Sequence, residues 1–314
     1  MRGNVRIGCM VILLLAASEP AWSQPLELQL QYPARTRGMA GTGRSFATSS
    51  NALLLNPAGL AYAVQYVFEG VYGYGFDGDL HTTSVNWTDS YMNPHVAAGV
   101  GYSFMTQGPL GDLDAHAING GLAFPVLKGP VGLILGTGIH WVIKPDGKVK
   151  TRADGTVKKS DWNLLTGDLG AILTLGDMFR IGLVGYDLLS VIDSPYDPGL
   201  GVGISFWWSR LVFAFDVVAD WGATDRSTGG HELGMSYMGG ILVAATQELM
   251  FRVGSGYDQL NDRPEIAAGA SLMLPKGVGI ELAYTADPTD FADSFLSVGL
   301  QLYPMMWSGE RNAQ

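Results

Sequence analysis

From Val131 onward the chain alternates with a period of two. Val131, Leu133, Leu135, Thr137, Ile139, Trp141 and Ile143 fall on one side, and Gly132, Gly136, Gly138, His140 and Lys144 on the other. Successive side chains of a strand point to opposite faces, so this pattern predicts a strand with one greasy face and one small or polar face. Leu211 to Trp221 repeats it, setting Leu211, Phe213, Phe215, Val217 and Trp221 against Ala214, Asp216 and Asp220. Val278 to Thr285 does so again, with Val278, Ile280, Leu282 and Tyr284 opposite Gly279, Glu281 and Thr285.

Segments of this kind fall near 64–75, 80–89, 95–106, 113–124, 130–144, 161–175, 178–188, 199–208, 210–221, 231–244, 247–258, 264–274, 277–285 and 293–303. Most match the roughly 9–11 residues that a tilted strand needs to cross a bilayer. Tight connections at Leu127-Lys128-Gly129, Gly176-Asp177, Ser209-Arg210, Thr246-Gln247 and Lys276-Gly277 alternate with longer ones. In a membrane barrel the short set faces the periplasm and the long set the exterior. Trp87, Tyr102, Phe104, Trp141, Trp207, Trp208, Trp221, Tyr257, Tyr284 and Tyr303 stand near strand ends, as two interfacial girdles require. The rival is a soluble β-sandwich or propeller, whose wet face is normally charged or Thr-rich. Here the second face is mostly Gly, Ala and Ser with isolated carboxylates, which suits a crowded or watery lumen. The expectation is an all-β, transmembrane antiparallel barrel of about 14 strands, with 12 as the fallback.

Composition agrees. The chain has 43 glycines and only 15% charged residues, yet no apolar run after residue 23 is long enough for a spanning helix. Arg2 and Arg6, the apolar stretch Ile7 to Ala17, and Ala21-Trp22-Ser23 form a signal peptide over residues 1–23. Without it the balance falls from 19 basic and 29 acidic residues to 17 and 28, which disfavours nucleic acid as a partner. Cys9, the only cysteine, leaves with the signal, so disulfides and thiolate metal sites are excluded. The histidines show no His-Glu-x-x-His spacing and no serine sits in Gly-x-Ser-x-Gly, so the expectation is a non-enzyme without cofactor or metal.

The start of the mature chain is different. Gly38-Met39-Ala40-Gly41-Thr42-Gly43 is followed by Asn51-Ala52 and then by Asn56-Pro57-Ala58-Gly59-Leu60-Ala61. Glycine permits close backbone approach and Asn-Pro fixes a turn, so this stretch suits a crowded lumen; a disordered export linker is the bland alternative. The stretch resembles the N-terminus of the FadL superfamily of outer-membrane barrels, which includes fatty-acid and hydrocarbon transporters and PorV-like proteins. The resemblance implies a 14-stranded barrel in the bacterial outer membrane whose N-terminal segment folds back as a hatch, with Gly38, Gly41, Gly43, Asn56, Pro57 and Gly59 as its motif residues. The chain then divides into signal peptide 1–23, hatch 24–63, barrel 64–303 and a C-terminal tail 304–314. The long apolar capture loop that the resemblance implies has no counterpart. The longest loop, roughly Pro145 to Ser160, carries Lys148, Lys150, Arg152, Lys158 and Lys159 with Asp146 and Asp154, a set that suits lipid phosphates.

Strand parity puts Glu69, His95, His140, Asp168, Arg180, Asp216, Asp220, Glu232, Arg252 and Glu281 inside, where charges must be hydrated or paired. Arg35, Arg37 and Arg44 of the hatch are the available cationic partners. Tyr186, Trp207, Met238, Leu242, Met250, Met273 and Phe295 also face inward, as a path for a hydrophobic ligand or a packing surface for the hatch. The expected function is passive transport of a small hydrophobic compound. The alternatives are a PorV-like barrel that binds or scaffolds a secreted or surface protein and, more weakly, a general diffusion channel.

Overall fold

The computed structural model describes residues 31–77, 79–93, 95–107, 114–151, 157–190, 198–224, 231–259 and 262–304; the expected signal peptide and all but the first residue of the expected tail lie outside them. Fourteen strands follow one another: β1 (Tyr66–Gly75), β2 (Leu80–Asp89), β3 (Ala97–Gln107), β4 (Ala115–Leu127), β5 (Val131–Thr151), β6 (Val157–Leu175), β7 (Phe179–Ser190), β8 (Gly199–Trp208), β9 (Leu211–Thr224), β10 (His231–Ala244), β11 (Leu249–Asp258), β12 (Arg263–Leu274), β13 (Val278–Ala286) and β14 (Ser294–Leu302). Each pairs antiparallel with its sequence neighbours, and β1 pairs with β14 to close the barrel. Closure leaves no sheet edge in lipid.

Three expectations need correction. The basic segment 145–160 is not a long loop, because β5 runs for 21 residues and β6 for 19, paired out to Thr151 and Val157. Its lysines mask the strand signal, whereas the ladder continues because it pairs backbone groups whatever the side chains are; Arg152 and Asp154 lie outside the described residues. His95 is exposed in the turn before β3 and not in the lumen, since β3 begins two residues later. The alternation of short and long connections is also not strict. Residues 90–96 join β2 to β3 at the short-turn rim, while only residues 76–79 join β1 to β2 at the far rim.

The outer wall is greasy. Phe68, Tyr72, Val100, Leu135, Ile139, Phe213, Phe215, Ile280, Leu282, Val298 and Leu300 are all exposed on strands. A surface this apolar is stable only against lipid, so the strands are the membrane-crossing elements. No helix among the described residues is long and apolar enough to cross a membrane.

The inner wall is not uniformly polar. Ile134, Val142, Leu164, Ile172, Val184, Val212 and Val218 occupy inward positions and are buried. What covers many of them is the chain before β1, which forms α1 (Ala34–Arg37), α2 (Ser50–Leu55) and a 3-10 turn (Pro57–Ala61). Leu53, Leu54, Leu55, Ala58 and Leu60 cluster with Ala117, Ala123, Ile134, Val142, Leu164 and Ile172 inside the barrel. Full burial of one such leucine contributes about 1.5–3 kcal/mol, so this cluster holds the segment against the β4–β6 wall.

Glycines in the wall record the approach of this segment. A Cβ on Gly136 would overlap the backbone of Pro57 and Ala58, one on Gly182 the Arg44 carbonyl, and one on Gly254 the Met39 backbone. Gly121, Gly170, Gly201, Gly240 and Gly269 are likewise closed off by Leu60, Asn56, Arg44, Met39 and Gly38. This belt runs from β4 to β12, and most of it, Gly201 excepted, lies in the half of the barrel nearer the short turns.

Candidate functional site

The inner segment is tied down by polar side chains at both ends. At Gly41 and Gly43, φ is +78° and +140°, a backbone that L side chains rarely adopt. The turn aims two successive N–H groups at one carboxylate: Gly43 N and Arg44 N donate to Asp216 Oδ2 at 2.8 and 2.9 Å. Arg44 Nη1 adds a third bond to the same oxygen at 3.1 Å, and its Nε donates to Tyr186 Oη at 2.6 Å. Burial opposes the Arg44 charge, but Tyr186, Tyr32 and Asp216 hold its pKa above the usual arginine value. Tyr186 Oη in turn donates to the Leu55 carbonyl at 2.8 Å, so one wall tyrosine joins both halves of the segment.

Asn56 is fully buried. Its Nδ2 donates to Arg44 O at 2.9 Å and to the wall carbonyl of Ala171 at 3.2 Å, with Leu183 O at 3.4 Å, while its Oδ1 accepts from Ala58 N at 3.2 Å. That last bond caps the 3-10 turn, and Pro57 takes the first position, where no N–H is needed. Gly59 is pressed against the Ala47 carbonyl, and Gly38 stands against Gly269.

Near the β1–β14 seam, Arg35 Nε and Nη2 donate to Glu281 Oε1 at 3.0 and 2.8 Å, and its Nη1 donates to Thr48 Oγ1 at 3.2 Å. Ser271 Oγ donates to the same Glu281 oxygen. Glu69 accepts from Ser50 Oγ and from Gln301 Nε2. Arg37 sits 3.7 Å over the Phe295 ring, where burial pulls its pKa down to about 10 against the pull of Glu265 and Tyr32. On the opposite wall, His140 Nε2 lies 2.8 Å from Asp168 Oδ2 and its Nδ1 2.8 Å from Asn119 Oδ1. Asn119 Nδ2 then donates to Gln31 Oε1 at 2.9 Å.

Between the inner segment and the β8–β11 wall is a cavity of about 320 Å³. Trp207, Leu242 and Met250 line it from the wall, and Met39, Phe46 and Leu55 from the segment. Ser209 and Ala244 place it at the short-turn rim. Beside it, Arg180 stacks 3.7 Å over Trp207 and 4.8 Å from the Tyr62 ring, closing one flank with a guanidinium between two aromatics.

Of the inward residues expected to form a path, Trp207, Leu242 and Met250 therefore meet at this cavity. Tyr186 and Phe295 are instead buried against the segment, Met238 lies beside Gly41 and Arg44, and Met273 lies beside Gly279. Among the expected lumen charges, Glu69, Asp168, Asp216, Arg252 and Glu281 are buried, and Arg180 is half-buried. The side chains of Asp220 and Glu232 lie outside the described ones. Asn119, Gln301 and Phe46 went unnoticed in the sequence. Parity marks Asn119 and Gln301 as inward, but nothing in the pattern of the segment distinguishes Phe46.

Comparison with solved structures finds the same fold at low sequence identity. A Pseudomonas aeruginosa FadL homologue matches with a TM-score of 0.60 at 12% identity, covering 91% of this chain and 100% of that one. The CymD monoaromatic hydrocarbon channel gives 0.59 at 17%, covering 86% and 96%. The Pseudomonas putida toluene transporter TodX gives 0.57 at 14%, again covering 86% and 96%. No family model and no curated protein matches the chain. The chain therefore shares the barrel fold of these structures.

Proposed function

We propose that this protein sits in the bacterial outer membrane and passes a small hydrophobic compound, with residues 24–63 acting as a hatch. The supporting observation is the apolar cavity shared by Trp207, Leu242 and Met250 of the wall and Met39, Phe46 and Leu55 of the inner segment. Such a lining binds apolar groups by taking their surface out of water, and its position beside the inner segment suits a compound moving around that segment. The neighbours of like fold include a toluene transporter and a monoaromatic hydrocarbon channel, which fits a compound of that size.

The test is uptake of radiolabelled toluene by cells carrying the protein, set against cells carrying Leu242→Asp or Met250→Asp. A carboxylate in the lining opposes entry of an apolar solute, and uptake is expected to fall about tenfold or more with the barrel still folded in the membrane. Unchanged uptake in both folded variants overturns the reading.

A further inference from the structure

We infer that the free-standing end of the β5–β6 hairpin is a docking site for the phosphorylated headgroups of lipopolysaccharide in the outer leaflet. This rests on the outer-membrane placement of the proposed function and adds a partner on the outside of the barrel.

The lysines of the chain are segregated. Lys144, Lys148, Lys150, Lys158 and Lys159 are five of only seven, and the other two, Lys128 and Lys276, stand in short turns at the opposite rim. The whole chain carries a net charge of −10. Elsewhere the far rim has Asp77 and Asp79 between β1 and β2, and Asp287, Asp290 and Asp293 between β13 and β14. A polyanion is therefore attracted to the hairpin and repelled by those connections.

The backbone carries these lysines clear of the wall. Among the described residues, β4 accompanies β5 no further than Ile143, which pairs with His116, and β7 accompanies β6 no further than Thr166, which pairs with Ser190. Beyond those points residues 144–151 and 157–162 pair only with each other. At the foot of the hairpin, on the outer wall, Tyr102 Oη lies 2.8 Å from His116 Nδ1, and the Phe104 ring is 5.0 Å from the imidazole. Aromatic groups so placed mark the level where hydrocarbon gives way to headgroups. Lys144 comes one residue after that level. From there residues 144–151, at about 3.3 Å each and at the tilt of barrel strands, rise about 20 Å through the layer of phosphates and sugars.

The register adds a second argument. Lys150 pairs with Lys158, and Val149 with Lys159. Like charges directly opposite one another destabilise a strand pair, so the hairpin gains from an anion laid against it. A phosphate offers more charge and more acceptor oxygens than a carboxylate, and lysine is a point charge that suits it. Neutral sugars and acyl chains relieve nothing here.

Titration of the full-length barrel in phosphatidylcholine nanodiscs with lipopolysaccharide, and with the same lipopolysaccharide stripped of its phosphates, tests this. Wild-type protein is expected to bind the phosphorylated form about a hundredfold more tightly. Lys150→Gln combined with Lys158→Gln is expected to cost about tenfold or more, the value of two cations beside an anionic surface. Lys150→Arg combined with Lys158→Arg keeps both charges and is expected to stay within about threefold of wild type, as is Lys128→Gln at the opposite rim. Equal binding of the two forms, or binding unaffected by the glutamine pair, overturns the docking site. So does a dimer in detergent that the glutamine pair abolishes, because the lysines then serve the acidic rim of a second copy. The wild-type comparison decides the matter even where the glutamine pair does not fold. Toluene uptake separates this inference from the passage reading: uptake at the wild-type rate by the glutamine pair leaves passage standing whatever the titration gives. Recovery of the wild-type barrel outside the outer membrane takes both down.

Discussion

Asn56 shows how much of the inner segment hangs on one amide. Its group bonds to the chain before it, the turn after it and two strands of the wall. Asn56→Ala strands buried carbonyls at about 1–3 kcal/mol each, so trypsin is expected to cut near Arg44 faster in intact barrels of the variant. Cleavage at the wild-type rate would show that the amide is not what holds the segment. Asp216→Asn keeps the shape but removes the charge that faces Arg44 and two N–H groups; the same assay is expected to show faster cutting there too. The sequence displayed Asn-Pro and both charges plainly. Their partners were hidden, because Asn56 uses wall carbonyls that no side-chain pattern marks, and Arg44 meets Asp216 across 172 positions.

At the scale of the element, the strands were legible because lipid on one side imposes a clean period of two. The exceptions follow from the same physics: the outer ends of β5 and β6 rise beyond the greasy band, lose the alternation and hide as a lysine-rich loop. Inward glycines were visible as small residues, but their meaning was not, since the segment that excludes a Cβ approaches from more than 70 residues away in sequence at Gly136. Gly136→Val or Gly254→Val is expected to push the segment off the wall while leaving the strand paired. Planar-bilayer recordings check this as a rise in ion conductance over wild type. Gly70, with open space around its missing Cβ, is the control, and Gly70→Val is expected to behave as wild type. A conductance equal in all four proteins would show that the belt is not a seat.

For the whole molecule, strand number, antiparallel order and greasy exterior were available from pattern alone, whereas the cavity was not. It forms between Met39 or Phe46 and Leu242 or Met250, and only closure of the barrel brings those regions together. The general-diffusion alternative predicts large conductance from the native protein. Buried Leu53, Leu54, Leu55 and Leu60 occupying the lumen point the other way, so wild-type protein is expected to conduct poorly.

The belt of wall glycines also bears on the order in which the barrel assembles. The inner segment touches the wall from β4 to β12 through that belt, and through Arg35 and Ser50 it reaches Glu281 and Glu69 on either side of the β1–β14 seam. A part seated so fully around the circle is expected to be wrapped and not threaded, with the wall rolling up around a passenger already aboard and the seam zipping last. A synthetic peptide of residues 31–63 is therefore expected to be captured when present during refolding of a barrel that lacks it, and to stay in solution when added to that barrel after closure.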